Sequence, residues 1–225
     1  MNMKLWDTGP KLAPYKEEGS TEGASWQDLF LCPGSKACLI GGQNGGFPDF
    51  GHHVKLEMGG LWLHPVKLLD GFWLGIRDRE EDGGASGPVW LTEAGIFVNH
   101  PFHNEHRYTM SRLGLEIVRR QFCPDGEQGI LVSFAIRNLL DRPRDLDVHF
   151  LVRTDLSPVW FSEGMEWREG FDQGRFHPDR GVFTARDEHQ LGMSLPARRF
   201  LPRIATSTGS CSDRIGLRAR ASAAS

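Results

Sequence analysis

Gly114-Leu-Glu-Ile-Val-Arg-Arg-Gln-Phe122, Ile130-Leu-Val-Ser-Phe-Ala-Ile136 and Leu146-Asp-Val-His-Phe-Leu-Val152 follow one another with only short turns between them. In the second run Ile130, Val132, Phe134 and Ile136 fall on one side. In the third Leu146, Val148, Phe150 and Val152 do the same, while Asp147, His149 and Arg153 face away. A period of two places alternate side chains on opposite faces of a pleated strand, so these runs read as half-buried strands. Pro124-Asp125-Gly126 and the polar stretch Asn138 to Arg144 supply the turns, and together the segments predict an antiparallel meander.

The same grammar extends outward. Val54, Leu56 and Met58 alternate with Lys55 and Glu57, which predicts another strand ending at Gly59-Gly60. Asp70-Gly71, between the apolar runs 61–69 and 72–76, is a hairpin signal. Residues 77–87 are charged and then glycine-rich, as a loop is. With 27 Gly and 13 Pro in 225 residues, turns are favoured over long helices, and one domain of this length can bury a sizeable core. The expected fold is therefore all-β, a large antiparallel β-sandwich over residues 41–203. Residues 1–40 read as an irregular lead-in. Residues 204–225 contain no aromatic residue and almost no pattern, so they read as a disordered or truncated tail.

Charge and composition narrow the partners. A net charge of −3 gives no general reason to expect nucleic acid or an acidic membrane. No apolar run approaches the roughly 20 residues of a membrane helix, and the N-terminus lacks a charged-then-apolar leader. A cytoplasmic location is expected. Cys32, Cys38, Cys123 and Cys211 form no C-x-x-C pair. A Cys32–Cys38 disulfide is conceivable, but a reducing compartment favours free thiols.

Several residue groups invite chemistry. His100, His103 and His106 recur at intervals of three, a spacing that alternates faces on a strand, and Pro101 opposes a helix; no metal or cofactor is expected. Gly41 to Gly46 is glycine-rich, yet Phe47-Pro48 follows where a phosphate loop needs a helix N-terminus. Asp49, Asp70, Asp155 and Glu163 are available carboxylates without a legible acid/base pairing, so catalytic residues stay unassigned. Asp70 reads as a turn residue and Asp155 as a strand-end carboxylate. Seven tryptophans against two tyrosines suggest surface platforms for the apolar faces of pyranose rings. Trp62, His64 and Trp73 flank Asp70-Gly71, and a hairpin there would gather them into an aromatic shelf for substrate binding.

Met58-Gly59-Gly60-Leu61-Trp62, Asp70-Gly71-Phe72-Trp73 and Arg153-Thr-Asp-Leu-Ser-Pro-Val-Trp160 resemble the N-terminal region of glycogen-debranching (amylo-α-1,6-glucosidase-like) glycoside hydrolases, over roughly residues 45–165. The resemblance implies a supersandwich of the galactose-mutarotase type that packs on an α/α toroid carrying the catalytic carboxylates. Nothing in this sequence resembles the toroid. The implied role is a non-catalytic module that supports a missing toroid, contacts α-glucan or another carbohydrate, and self-associates through the surface the toroid would cover. A stand-alone carbohydrate-binding or aldose-epimerase-like protein is the alternative. Asn99-His100-Pro101-Phe102 resembles an epimerase segment, which would give His100 and Glu105 the acid/base roles.

Overall fold

A computed structural model describes residues 20–22, 28–47, 59–64, 66–80, 87–158, 171–177, 182–188 and 215–224. The strands expected near 54–58, and the carboxylates Asp49 and Glu163, lie outside them. The described residues are mostly strand, and they contain no α-helix. In chain order the strands are β1 (Ser20–Glu22), β2 (Leu29–Pro33), β3 (Cys38–Gly42), β4 (Gly60–Leu63), β5 (Val66–Asp78), β6 (Val89–Trp90) and β7 (Ile96–Asn99). They continue with β8 (Asn104–Met110), β9 (Leu115–Phe122), β10 (Leu131–Asn138), β11 (Arg144–Pro158), β12 (Asp172–His177), β13 (Val182–Asp187) and β14 (Ile215–Ala224).

One sheet has the order β1-β7-β8-β9-β10 and the other β14-β11-β5-β4-β3-β2, with β6 against β5 and β12–β13 as a separate hairpin. All pairings are antiparallel except β11 with β14. The two sheets face each other across a shared interior. Phe30, Leu39, Leu61, Leu68 and Phe72 of the second sheet bury against Phe97 and Cys123 of the first. Leu74, Ile76 and Leu146 likewise meet Tyr108, Met110, Leu115 and Ile117. Val132, Phe134, Ile136, Val148, Phe150 and Val152 complete the layer, so the alternation in β10 and β11 faces the interior as expected. The fold is an all-β, sandwich-like pair of antiparallel sheets.

Three expectations differ from the observed structure. The central meander is split: β9 pairs β10 from Leu115↔Asn138 to Phe122↔Leu131, but β11 crosses to the other sheet and pairs β5. Alternation reports which face is apolar, not which neighbour a strand takes. The crossing is anchored where the turn ends. Arg144 is buried, donates from Nε and Nη2 to the Asp78 carboxylate at 2.9 and 2.5 Å, and donates from Nη1 to the Leu113 carbonyl. The second difference is that Asp70-Gly71 makes no turn. β5 runs unbroken through it for 13 residues, and the hairpin closes at His64 instead. The price is irregularity: pairing shifts between Leu61 and Trp62 on one side of β5 and around Thr154 on the other, where Asp70 is the extra residue. The third concerns the ends of the chain. Within the lead-in, β2 and β3 join the second sheet because Phe30, Cys32 and Leu39 alternate inward. Within the tail, β14 lies beside β11 from Arg144↔Ile215 to Arg153↔Ala224.

Gly60 shows how tightly this bulge is packed. Its φ is +99°, and a Cβ there would stand 1.8 Å from the Leu69 carbonyl oxygen. Gly60→Ala therefore strains the backbone and forces β4 from β5. It is expected to cost about 3 kcal/mol, read as a fall in Tm of about 6–12 °C. An unchanged melting curve would mean that the bulge is not as described.

Asp78 gives the acid sensitivity. Burial alone would raise its carboxyl pKa. The Arg144 hydrogen bonds, the Glu80 amide and the charges of Arg144 and Arg142 outweigh burial and hold it below the usual carboxylate range. A depressed carboxylate stabilises the fold above its unfolded pKa of about 3.9, and that contribution disappears as pH falls through the folded value. Asp78→Asn leaves the Arg144 charge buried without its partner, and is expected to cost about 3–5 kcal/mol at pH 7. The gap from wild type should shrink on acidification below about pH 4. Denaturant midpoints measured across that range give the test, and a gap independent of pH would refute the assignment.

Candidate functional site

Two polar centres stand out, one beside the β5 bulge and one inside the sandwich. At the bulge the buried Lys67 ammonium lies 2.5 Å from Asp70 Oδ1 and 2.8 Å from Asp155 Oδ2. Arg153 Nε holds the other Asp70 oxygen at 2.7 Å. Residues three apart on a regular strand point to opposite faces, so the extra residue in β5 is what lets Asp70 meet Lys67. Burial pushes the Asp155 carboxyl up, the Lys67 hydrogen bond and charge pull it down, and the Asp70 charge and hydrogen bond push it up again; the net direction is upward. The folded state thus holds this proton more tightly than the unfolded chain, and Asp155 opposes folding as pH rises through its folded value.

Trp62 pairs with Lys67 across β4–β5, and the Lys67 ammonium lies 6.0 Å from its ring centre, a cation–π approach. His64 is exposed and its ring sits 5.9 Å from that of Trp62. The structure therefore brings Trp62 and His64 together, but not as a shelf with Trp73. Trp73 lies six residues beyond Lys67 along β5, about 20 Å away. It is half-buried, edge-on to Phe47 at 6.1 Å. Trp62 is only 4% exposed, so its faces are already covered and His64 is the solvent-facing part of this corner. The sequence reading missed Lys67 altogether. Its position between apolar residues, Val66 and Leu68, was the available signal that an ion partner was needed.

The arrangement does not suit glycoside cleavage. An acid and a base must flank a sugar with open space between them. Here a buried lysine sits between Asp70 and Asp155 and bonds to both.

The second centre lies on the inner face of the first sheet. His106↔Arg119 and Asn104↔Gln121 are cross-strand pairs of β8 and β9, and all four side chains are buried. Arg119 Nη1 donates to the Gly45 carbonyl at 2.8 Å, and Arg119 Nη2 lies 3.2 Å from His106 Nδ1. The guanidinium carbon stands 5.6, 5.4 and 5.9 Å from the ring centres of Phe47, Phe72 and Tyr108. Rings thus supply much of what water would have given this cation. Gln121 Nε2 is 3.4 Å from the same His106 nitrogen. With two N–H groups aimed at it, Nδ1 must be the acceptor and Nε2 must carry the hydrogen. Burial first, and the Arg119 charge second, lower the His106 pKa to about 2, against a weak opposing pull from the Gly42 carbonyl. A base this weak does no proton transfer at neutral pH.

The remaining histidines are elsewhere. His100 and His103 stack face to face at 4.1 Å in the β7–β8 turn, and the intervening Phe102 is largely exposed. Among the described residues no three His, Cys, Asp or Glu side chains gather as a metal-ligand set. Glu105 points to the sheet face opposite His106 and is held by Arg107 and Arg120, each at 2.6 Å. Burial would raise its pKa, but those two arginines lower it below the usual range. Glu105 is thus taken up by two ion pairs, while His100 stacks on His103. The Gly41–Gly46 segment ends β3 in a tight turn, with the Gly45 amide on the Gly42 carbonyl at 2.7 Å.

No family model matches the chain, and neither a curated protein nor a solved structure matches it. Among the described residues no helix is long and apolar enough to cross a membrane.

The His106 environment makes a direct prediction. Its imidazole NMR signals should not shift between pH 5 and 8. A His106 titration midpoint near 6 would contradict the buried Arg119–His106 contact.

Proposed function

We propose that this chain is a non-catalytic β-sandwich module of a glycogen-debranching-type (amylo-α-1,6-glucosidase-like) α-glucosidase. It braces an α/α-toroid catalytic domain and meets α-glucan at the His64 corner. The supporting observation is spatial. The two stretches that carry the resemblance, 58–73 and 153–160, are far apart in sequence, yet their described parts pair side by side as β5 and β11. Lys67 joins them through Asp70 and Asp155. Residues that serve as framework, and not as acid and base, suit a supporting role.

The surface favours one docking side. The outer face of the first sheet is charged, with Arg107, Glu116, Arg120 and Arg137. On the second sheet, the last strand β2 turns Leu29 and Leu31 outward, 50% and 53% exposed. Exposed leucines on an edge strand are an association surface in the absence of a partner.

The isolated chain should release no reducing sugar from glycogen, pullulan or maltooligosaccharides. It should also self-associate in light scattering, and Leu29→Glu with Leu31→Glu should return it to monomer. Robust hydrolysis by the isolated chain would overturn the reading. A wild-type monomer at every concentration would remove the docking face from it.

A further inference from the structure

The sandwich interior holds a pair of thiols from opposite sheets. Cys32 ends the inward-facing row of edge strand β2, and Cys123 follows β9 directly. Both belong to the same core cluster, 1% and 5% exposed. The Cys32 thiol reaches the Gln121 carbonyl at 3.5 Å, two residues before Cys123. A Cβ on Gly34, two residues after Cys32, would stand 2.7 Å from the Cys123 Cβ. The hairpin end of β2 is therefore pressed against the end of β9, which places Cys32 and Cys123 in one corner of the interior. Cys38 is different. It pairs with Pro33 across the β2–β3 hairpin while Cys32 pairs with Leu39, so alternation sends Cys32 and Cys38 to opposite faces.

We propose that Cys32 and Cys123 are an oxidation site, at which hydrogen peroxide joins the two sheets by a disulfide. The chemistry balances. The Cys32 thiolate attacks one peroxide oxygen, the O–O bond breaks, and hydroxide leaves and takes up a proton as water. The resulting Cys32 sulfenic acid is attacked by the Cys123 sulfur. The S–S bond forms, the S–O bond breaks, and a second water leaves. Two thiols are oxidised and one peroxide is reduced to two waters.

The fold assigns the order of attack. Cys32 lies on edge strand β2 and is uncovered when that strand opens, so it is the attacking sulfur and Cys123 the resolving one. Access comes through β2, the last strand of its sheet, whose only described strand partner is β3. Opening an edge strand is a local event and admits a molecule as small as peroxide. The bond closes a loop of about 90 residues, a length at which a disulfide strongly restricts the unfolded chain.

The test uses the full chain, native and reduced, treated with hydrogen peroxide and mapped as peptides without reductant. The expected result is a Cys32–Cys123 cross-linked peptide, reversed by dithiothreitol, with Tm raised by roughly 5 °C or more. Cys38→Ser should keep the cross-link and Cys123→Ser should lose it, leaving Cys32 oxidised singly. A cross-link from Cys32 to Cys38 or Cys211 would overturn the proposal. So would Cys32 sulfinic acid without a cross-link in the wild-type chain, or thiols that stay reduced under conditions that oxidise a small-molecule thiol. Mapping of the wild type decides the matter even if a variant fails to fold.

Discussion

The pairing of β5 with β11 through buried charge is the constraint on which the sandwich rests. Asp78–Arg144 fastens one end, and Lys67 with Asp155 and Asp70 fastens the other. Between them Phe72, Leu74 and Ile76 oppose Val152, Phe150 and Val148. Removing either partner of such a pair leaves a charge that the interior cannot solvate, so the register is locked at both ends. A slip by one residue would also turn every apolar side chain to the wrong face. Hydrophobic burial supplies the driving force for this pairing, and the charges decide which alignment it takes.

The same long strand creates its own irregularity. A straight β5 could not put Lys67 and Asp70 on one carboxylate-lysine node, nor let Gly60 approach the Leu69 carbonyl so closely. Bulges re-aim side chains, and here they collect the residues of two distant segments around one ammonium. The interior polar layer of His106, Arg119, Gln121 and Asn104 follows a different logic. It sits among Phe30, Phe47, Phe72 and Phe97, with contacts that hold the imidazole neutral and the guanidinium against ring faces. Such a layer constrains how the two sheets meet, because apolar surfaces alone would tolerate several offsets.

Much of this was legible in the residue order. The period-two runs of 130–136 and 146–152 marked strands and their inner faces, the run 114–122 marked a third strand, and Pro124-Asp125-Gly126 marked a turn that the structure keeps, with Gly126 at φ +77°. The Asp70-Gly71 turn was misread because the same dipeptide fits a two-residue hairpin or a bulge, and only strand partners choose between them. Trp62 and Trp73 looked alike in sequence. Trp62 lies on β4 beside Lys67 and Trp73 six residues further along β5, and this separation, like the burial of Trp62, emerges only when the hairpin closes at His64.

Local alternation therefore determined, from the chain alone, that the protein is all-β and which side chains turn inward, because a pleated backbone imposes its period on neighbouring residues. Tertiary structure decided that β11 leaves the β9–β10 pair, that Lys67 sits between Asp70 and Asp155, and that Cys32 finds Cys123 and not Cys38. Those contacts join residues far apart in the sequence, and their partners are set by which buried charges and thiols meet when the two sheets close.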